Sequence, residues 1–194
     1  PPPKDKGGFL ARSKNSTEHC HVAVLNDLAK TSLPSSSITS GSKLDDSTLD
    51  SYIAKAMSQS KSGGLIVEGT SGSTGIALAT LSRSRGHACL VVLPDDQAIE
   101  KQLILAALGA VVLVVPTASI SNPQHYVNTA KRVALRAREH HKLAATFMNQ
   151  FENPANVGTH YCETGPEIWN DIKERTNSRG NVNILDAFCM SAGT

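Results

Sequence analysis

Aromatic side chains are scarce in this chain, at 4% of 194 residues, although 40% are apolar. A core must therefore be built from Ala, Val, Leu and Ile, which suits parallel strands with both faces covered by helices. Neither sign of charge dominates. A formal net charge of +2 gives no reason to expect nucleic acid or an anionic membrane surface as a partner. The longest apolar runs, such as residues 110–116, are far too short to span a bilayer. The four cysteines, Cys20, Cys89, Cys162 and Cys189, form no Cys-x-x-Cys pair and read as reduced thiols. The opening Pro-Pro-Pro-Lys-Asp-Lys has no apolar targeting core. There is no Gly-x-Gly-x-x-Gly, and no lysine follows a glycine-rich stretch, so neither dinucleotide-binding nor P-loop chemistry is indicated. His87, His125 and His160 stand without a second ligand at metal spacing.

What is present is a regular alternation. Residues 31–51 are rich in Ser, Thr, Gly and Asp, which predicts a long loop, with possible short strands before it at 8–13 and 21–25. The buried-type run Leu65-Ile66-Val67 leads into a glycine- and hydroxyl-rich turn, and helical spacing follows up to Gly86. Strands are expected at 88–93 and 111–115, with a helical stripe from Ile99 to Leu108 between them. A helix over 124–141, a strand over 145–148, a helix over 165–175 and a strand over 182–189 complete the series. Strand and helix at this pitch predict an α/β fold, a parallel sheet wound with helices on both faces.

The turn Gly69-Thr70-Ser71-Gly72-Ser73-Thr74-Gly75 joins a strand to a helix N-terminus. There the first backbone N–H groups lack helical partners and the helix dipole is positive. Glycines permit close approach, and the hydroxyls add donors. A carboxylate or a phosphate would be held well. The plainer reading is that Gly and Ser only turn the chain and cap the helix.

Several segments together resemble the cysteine synthase family of fold-type II pyridoxal-phosphate enzymes. Glu68-Gly69-Thr70-Ser71-Gly72-Ser73-Thr74-Gly75-Ile76-Ala77-Leu78-Ala79 is similar to that family's substrate loop. Leu93-Pro94-Asp95-Asp96 and Glu100-Lys101, up to Leu108-Gly109-Ala110, resemble its next strand, turn and helix. Asn149-Gln150-Phe151-Glu152-Asn153-Pro154-Ala155-Asn156 and Thr164-Gly165-Pro166-Glu167-Ile168-Trp169 match its motifs in order, and Asp186-Ala187-Phe188 leads to Gly193-Thr194 as in its phosphate loop. The Thr-Gly-Pro-Glu-Ile stretch favours cysteine synthases over cystathionine β-synthases and dehydratases. Leu-Pro-Asp-Asp is similar to a fungal, often mitochondrial, branch.

The resemblance implies a β-replacement that makes cysteine from O-acetylserine and sulfide, with pyridoxal 5'-phosphate held by a lysine. Thr70, Ser71, Gly72 and Thr74 would bind the substrate carboxylate, assisted by Gln150. Ser73 would reach the cofactor ring, and Gly193 and Thr194 would begin the phosphate cradle. Ser73 stands where the family usually has Asn, and the family's lysine motif is not intact. Lys43, in Ser40-Gly41-Ser42-Lys43, is at the family's spacing from Thr70; it reads equally as an ordinary loop lysine. The implied organisation is residues 1–44 with part of the large domain, 45–150 as a small α/β domain, and 151–194 as the start of the large domain. The sequence stops inside the phosphate loop, so a C-terminally truncated, inactive piece of a homodimeric cytoplasmic or mitochondrial enzyme is expected. A non-catalytic homologue serving as a binding or assembly module, and a cystathionine β-synthase or dehydratase, are the alternatives.

Other residues carry plainer expectations. Asp45-Asp46 should cap a helix, and Cys89 should be buried and inert. His140-His141, with Lys131, Arg132, Arg136 and Arg138, should form a solvated basic helix face. Phe151 and Trp169 should pack in a core or between domains.

Overall fold

The computed structural model describes residues 44–179, 185 and 187–190. Lys43, Cys20, Gly193, Thr194, the short strands expected at 8–13 and 21–25 and half of the strand expected at 182–189 lie outside the described residues; of that last strand Leu185, Ala187, Phe188 and Cys189 are described and are not in a strand. Two compact units divide the chain, Pro1–Phe147 and Met148–Thr194.

In the first unit the order is α1 (Asp46–Met57), β1 (Gly64–Gly69), α2 (Ser73–Ser84), β2 (Ala88–Pro94), α3 (Ile99–Ala107), β3 (Val111–Val115), α4 (Tyr126–Glu139) and β4 (Ala144–Phe147). The four strands form one sheet in the order β3-β2-β1-β4, and all three pairings are parallel. Alternation along β2 explains the layers. Leu90 and Val92 join Leu49, Ile53, Ala130, Val133 and Ala137 in a cluster beneath α1 and α4. Cys89, Val91 and Leu93 join Ala79 and Leu105 beneath α2 and α3. Every residue of β2 is buried, as a strand sandwiched between two helical layers must be. The expected α/β architecture is the observed one.

The expected loop over 31–51 runs too far. Helix α1 begins at Asp46, capped by Asp45, whose carboxylate accepts the Thr48 N–H at 2.9 Å. The polar first turn of a capped helix has the composition of a loop. The basic face of α4 is also less solvated than expected. Arg136 clasps Asp50 at 2.6 and 2.7 Å, His141 Nε2 lies 2.6 Å from the same carboxylate, and Arg132 donates to the Leu44 carbonyl at 2.5 Å. These contacts tie α1 to α4.

The second unit contains α5 (Pro154–Thr159), a π-helical turn (His160–Thr164) and α6 (Gly165–Arg179). None of its described side chains is buried. Phe151 is 42% and Trp169 54% exposed, so within this unit neither belongs to a core. Asn153 caps α5 by accepting the Ala155 N–H at 3.0 Å, and its side-chain amide donates to the Met148 carbonyl at 2.9 Å. No helix among the described residues is long and apolar enough to cross a membrane.

Candidate active site

The winding of the sheet reverses at β1. From it the chain steps through α2 to β2 and through α3 to β3, then returns by α4 to β4 on its other side. In wound sheets the crevice for a ligand opens at the carboxyl end of such a strand. The turn at residues 69–75 stands there.

Its three glycines do different work. A Cβ on Gly69 would lie 2.7 Å from Val127 Cα and 2.8 Å from the Tyr126 carbonyl oxygen, so Gly69 lets the start of α4 press against the end of β1. A Cβ on Gly75 would lie 2.8 Å from Thr70 Cγ2 and 3.2 Å from Val91 Cγ1, so Gly75 brings α2 down onto the sheet. Gly72 faces open space, with nothing within 4 Å of an added Cβ. Only Gly72 leaves room for a ligand.

The turn is held from within. The Thr70 N–H continues the sheet ladder to the Val92 carbonyl at 3.0 Å. Thr70 is 2% exposed, and its hydroxyl oxygen accepts the Gly72 N–H at 3.2 Å, leaving the hydroxyl proton to donate. The Ser71 carbonyl accepts from Lys101 Nζ at 2.7 Å. Glycine at the N-cap of α2 supplies no capping side chain, so the first-turn amides have no side-chain acceptor and the positive end of the dipole is open. At the start of α4, by contrast, His125 Nδ1 accepts the Val127 N–H at 3.3 Å. Burial lowers the His125 pKa, which favours the neutral ring that this acceptor role needs. Ser73 is exposed and Thr74 half-buried at the opening of α2, so the turn offers backbone and hydroxyl donors and no acidic side chain.

Gln150 belongs to the second unit and is half-buried, its carbonyl accepting from Asn156 Nδ2 at 3.3 Å. Away from the turn, Cys89 is buried. Desolvation, with the nearby Glu68 charge adding to it, pushes its thiol up to about 11, which makes it a poor nucleophile. Lys101 was missed as a contributor because its partner lies thirty residues away in the chain. The only hint was a lysine placed in the first turn of a helix.

Residues 44–194 match the family of pyridoxal-phosphate dependent enzymes. The chain belongs to that family. Among its relatives, cysteine synthase 2 of Neurospora crassa is 46% identical over 137 residues, covering 68% of this chain and 27% of that protein. The putative mitochondrial cysteine synthase of Saccharomyces cerevisiae is 42% identical over 132 residues, covering 68% and 32%. The chain thus spans about a third of the length of these relatives. The fold is similar to that of the hydrogen sulfide-producing enzyme Fn1055 from Fusobacterium nucleatum, with TM-score 0.50 and 27% identity over 66% of this chain and 36% of that one. A structure of that enzyme in complex with an α-aminoacrylate intermediate gives TM-score 0.51 at 26% identity, covering 66% and 38%. The fold is that of the fold-type II enzymes, and the cofactor of the family is pyridoxal phosphate.

Proposed function

We propose that the full-length protein is a cysteine synthase making cysteine from O-acetylserine and sulfide by β-replacement, and that the turn at residues 70–74 grips the amino acid by its carboxylate. The carrying observation is the uncapped N-terminus of α2 behind Gly72, open on its ligand side and placed where the sheet reverses. A carboxylate there would accept hydrogen bonds from first-turn amides and from the Thr70, Ser71 and Thr74 hydroxyls, with the dipole favouring its charge. The donor set fits an amino-acid substrate lying beside pyridoxal phosphate. When bound, the cofactor supplies an electron sink for the substrate's α-carbon.

The remaining roles rest on the family resemblance. Lys43 would hold the cofactor and carry the α-proton on its Nζ. Ser73 would reach the ring through its hydroxyl, a shorter donor than the family's Asn. Gly193 and Thr194 would open the phosphate cradle, and Gln150 would add an amide to the carboxylate grip. A homodimer in the cytosol or mitochondrion accompanies this reading. A second reading, release of sulfide by the same site, is supported by the likeness to Fn1055.

Product analysis on the full-length protein separates them. Cysteine formed from O-acetylserine and sulfide, with loss of cofactor colour in Lys43→Ala, is the expected result. Sulfide released from cysteine, with no synthesis, would transfer the assignment to the second reading. A protein that takes up no pyridoxal phosphate would overturn both.

A further inference from the structure

We propose that Lys101 is a positioning residue for the carboxylate grip: its ammonium locks the Ser71–Gly72 peptide so that the amides beyond it face the ligand. The inference rests on the reading of the turn as that grip.

One peptide unit is tied at both ends. Its carbonyl oxygen, from Ser71, accepts from Lys101 Nζ at 2.7 Å, and its N–H, on Gly72, donates to Thr70 Oγ1 at 3.2 Å. The C=O and N–H of a trans peptide point in opposite directions from one plane, so these two bonds together fix its rotation. Glycine at 72 would otherwise let this unit turn freely. The next residues, Ser73 and Thr74, open α2, so Gly72 is the one joint between the tethered plane and the helix, and holding that plane limits how far the first-turn amides can swing.

Lys101 occupies an unusual place for a cation. It lies in the first turn of α3, beside Glu100, where the helix dipole disfavours positive charge. Its head group is used elsewhere. Nζ spans from Gln97 Oε1, at 2.7 Å, to the Ser71 carbonyl, and the side chain is half-buried. It thereby bridges the turn before α3 to the turn before α2. A carbonyl held by an ammonium is also turned away from the anion that the amides are meant to receive, removing a repulsion.

The test uses the full-length holoenzyme with Lys101→Met, Lys101→Arg and Gln97→Ala. The readouts are hydrogen exchange over residues 70–76 and calorimetric affinity for L-alanine, which carries the carboxylate and no leaving group. Lys101→Met is expected to speed exchange in that segment and to weaken alanine roughly tenfold, the size of one charge-assisted hydrogen bond. Exchange in β2 and the cofactor content should stay unchanged. Lys101→Arg should restore most of the affinity, and Gln97→Ala should leave the turn protected. Unchanged exchange in Lys101→Met, or equal loosening by Gln97→Ala, would overturn the clamp. Should Lys101→Met fail to fold, Lys101→Arg and Gln97→Ala still decide: loss of turn protection in both overturns it, and retention in both supports it. A wild-type protein that binds no alanine would instead remove the carboxylate reading, while the exchange data still judge the clamp.

Discussion

Replacing the three glycines of the turn by alanine, one at a time, should separate packing from ligand binding. At Gly69 the added methyl meets backbone: Val127 Cα at 2.7 Å, the Tyr126 carbonyl oxygen at 2.8 Å and Val127 N at 3.0 Å. Ordinary contact begins near 3.4 Å, so the start of α4 must retreat by about 0.7 Å, and a helix cannot swing aside as a side-chain tip can. Overpacking of this kind costs about 1–3 kcal/mol, and a backbone obstacle puts Gly69→Ala at the upper end. The gain from losing a glycine inside a strand, about 0.5–1 kcal/mol, offsets only part. At about 2–4 °C per kcal/mol for a chain of this size, the melting temperature should fall by roughly 5 °C. Gly75→Ala meets two side-chain methyls, at 2.8 and 3.2 Å, and should cost less. Gly72→Ala meets nothing within 4 Å, so its cost is confined to its backbone angles, φ −161° and ψ −135°, and its stability should fall less than that of Gly69→Ala. Yet the Gly72 methyl intrudes on the proposed carboxylate position, so amino-acid affinity should drop about tenfold. Urea and thermal denaturation measure the first ordering and calorimetric titration the second. A Gly72→Ala protein as destabilised as Gly69→Ala, or one that binds as wild type, would refute the division of labour.

Two further outcomes follow from electrostatics. Hydrogen bonds from Arg136, and then from His141, hold the Asp50 carboxyl well below its usual range. Its contribution is therefore present above the unfolded value near ~3.9 and is lost as pH falls through the folded one. Stability below about pH 4 should decline less steeply in Asp50→Asn than in wild type, and parallel denaturation midpoints across that range would contradict the clasp. Cys89, raised to about 11 by burial, has only about one thiolate in a thousand at pH 8. Mass-spectrometric mapping should find it unlabelled by iodoacetamide until urea unfolds the protein, and labelling in the native state would show the β2 layer to be open.

The wound sheet was legible because its signals are local. Ala88 to Leu93 and Val111 to Val115 are continuous apolar runs bounded by Gly and Pro; the second is observed with the expected bounds and the first is one residue longer, ending at Pro94. The cap of α1 was legible in Asp45-Asp46, and Asp45 does cap the helix, but the polar first turn behind it, with Ser47 and Thr48, has the composition of a loop and was read as part of one. Helix α5 and the π-helical turn bury no side chain, so they leave no apolar period to read. Trp169 and Phe151 were expected to be packed, but hydrophobicity alone does not say against what a side chain packs. The contacts of Lys101 with Ser71, and of Arg136 and His141 with Asp50, join residues 30, 86 and 91 positions apart. No periodicity reports such pairs; only the folded chain brings them together.

The glycine-rich motif also mixes positions that sequence cannot sort. Gly69 and Gly75 are demanded by the approach of α4 and α2 to the sheet, and any tightly wound βα unit would need them there. The chemical content rests on Gly72, with Ser73 and Thr74 after it and the Lys101 tether behind it. Under the proposed function, Ser73 is the one residue of the turn that would reach the cofactor ring, and the other groups that would hold the cofactor come from other segments: Lys43 before α1, and Gly193 and Thr194 at the far end. The grip on the amino acid and the grip on the cofactor phosphate are then built from separate parts of the chain. Loosening the turn should alter how strongly the amino acid is held while leaving the cofactor in place, and that independence separates a substrate loop from a phosphate loop.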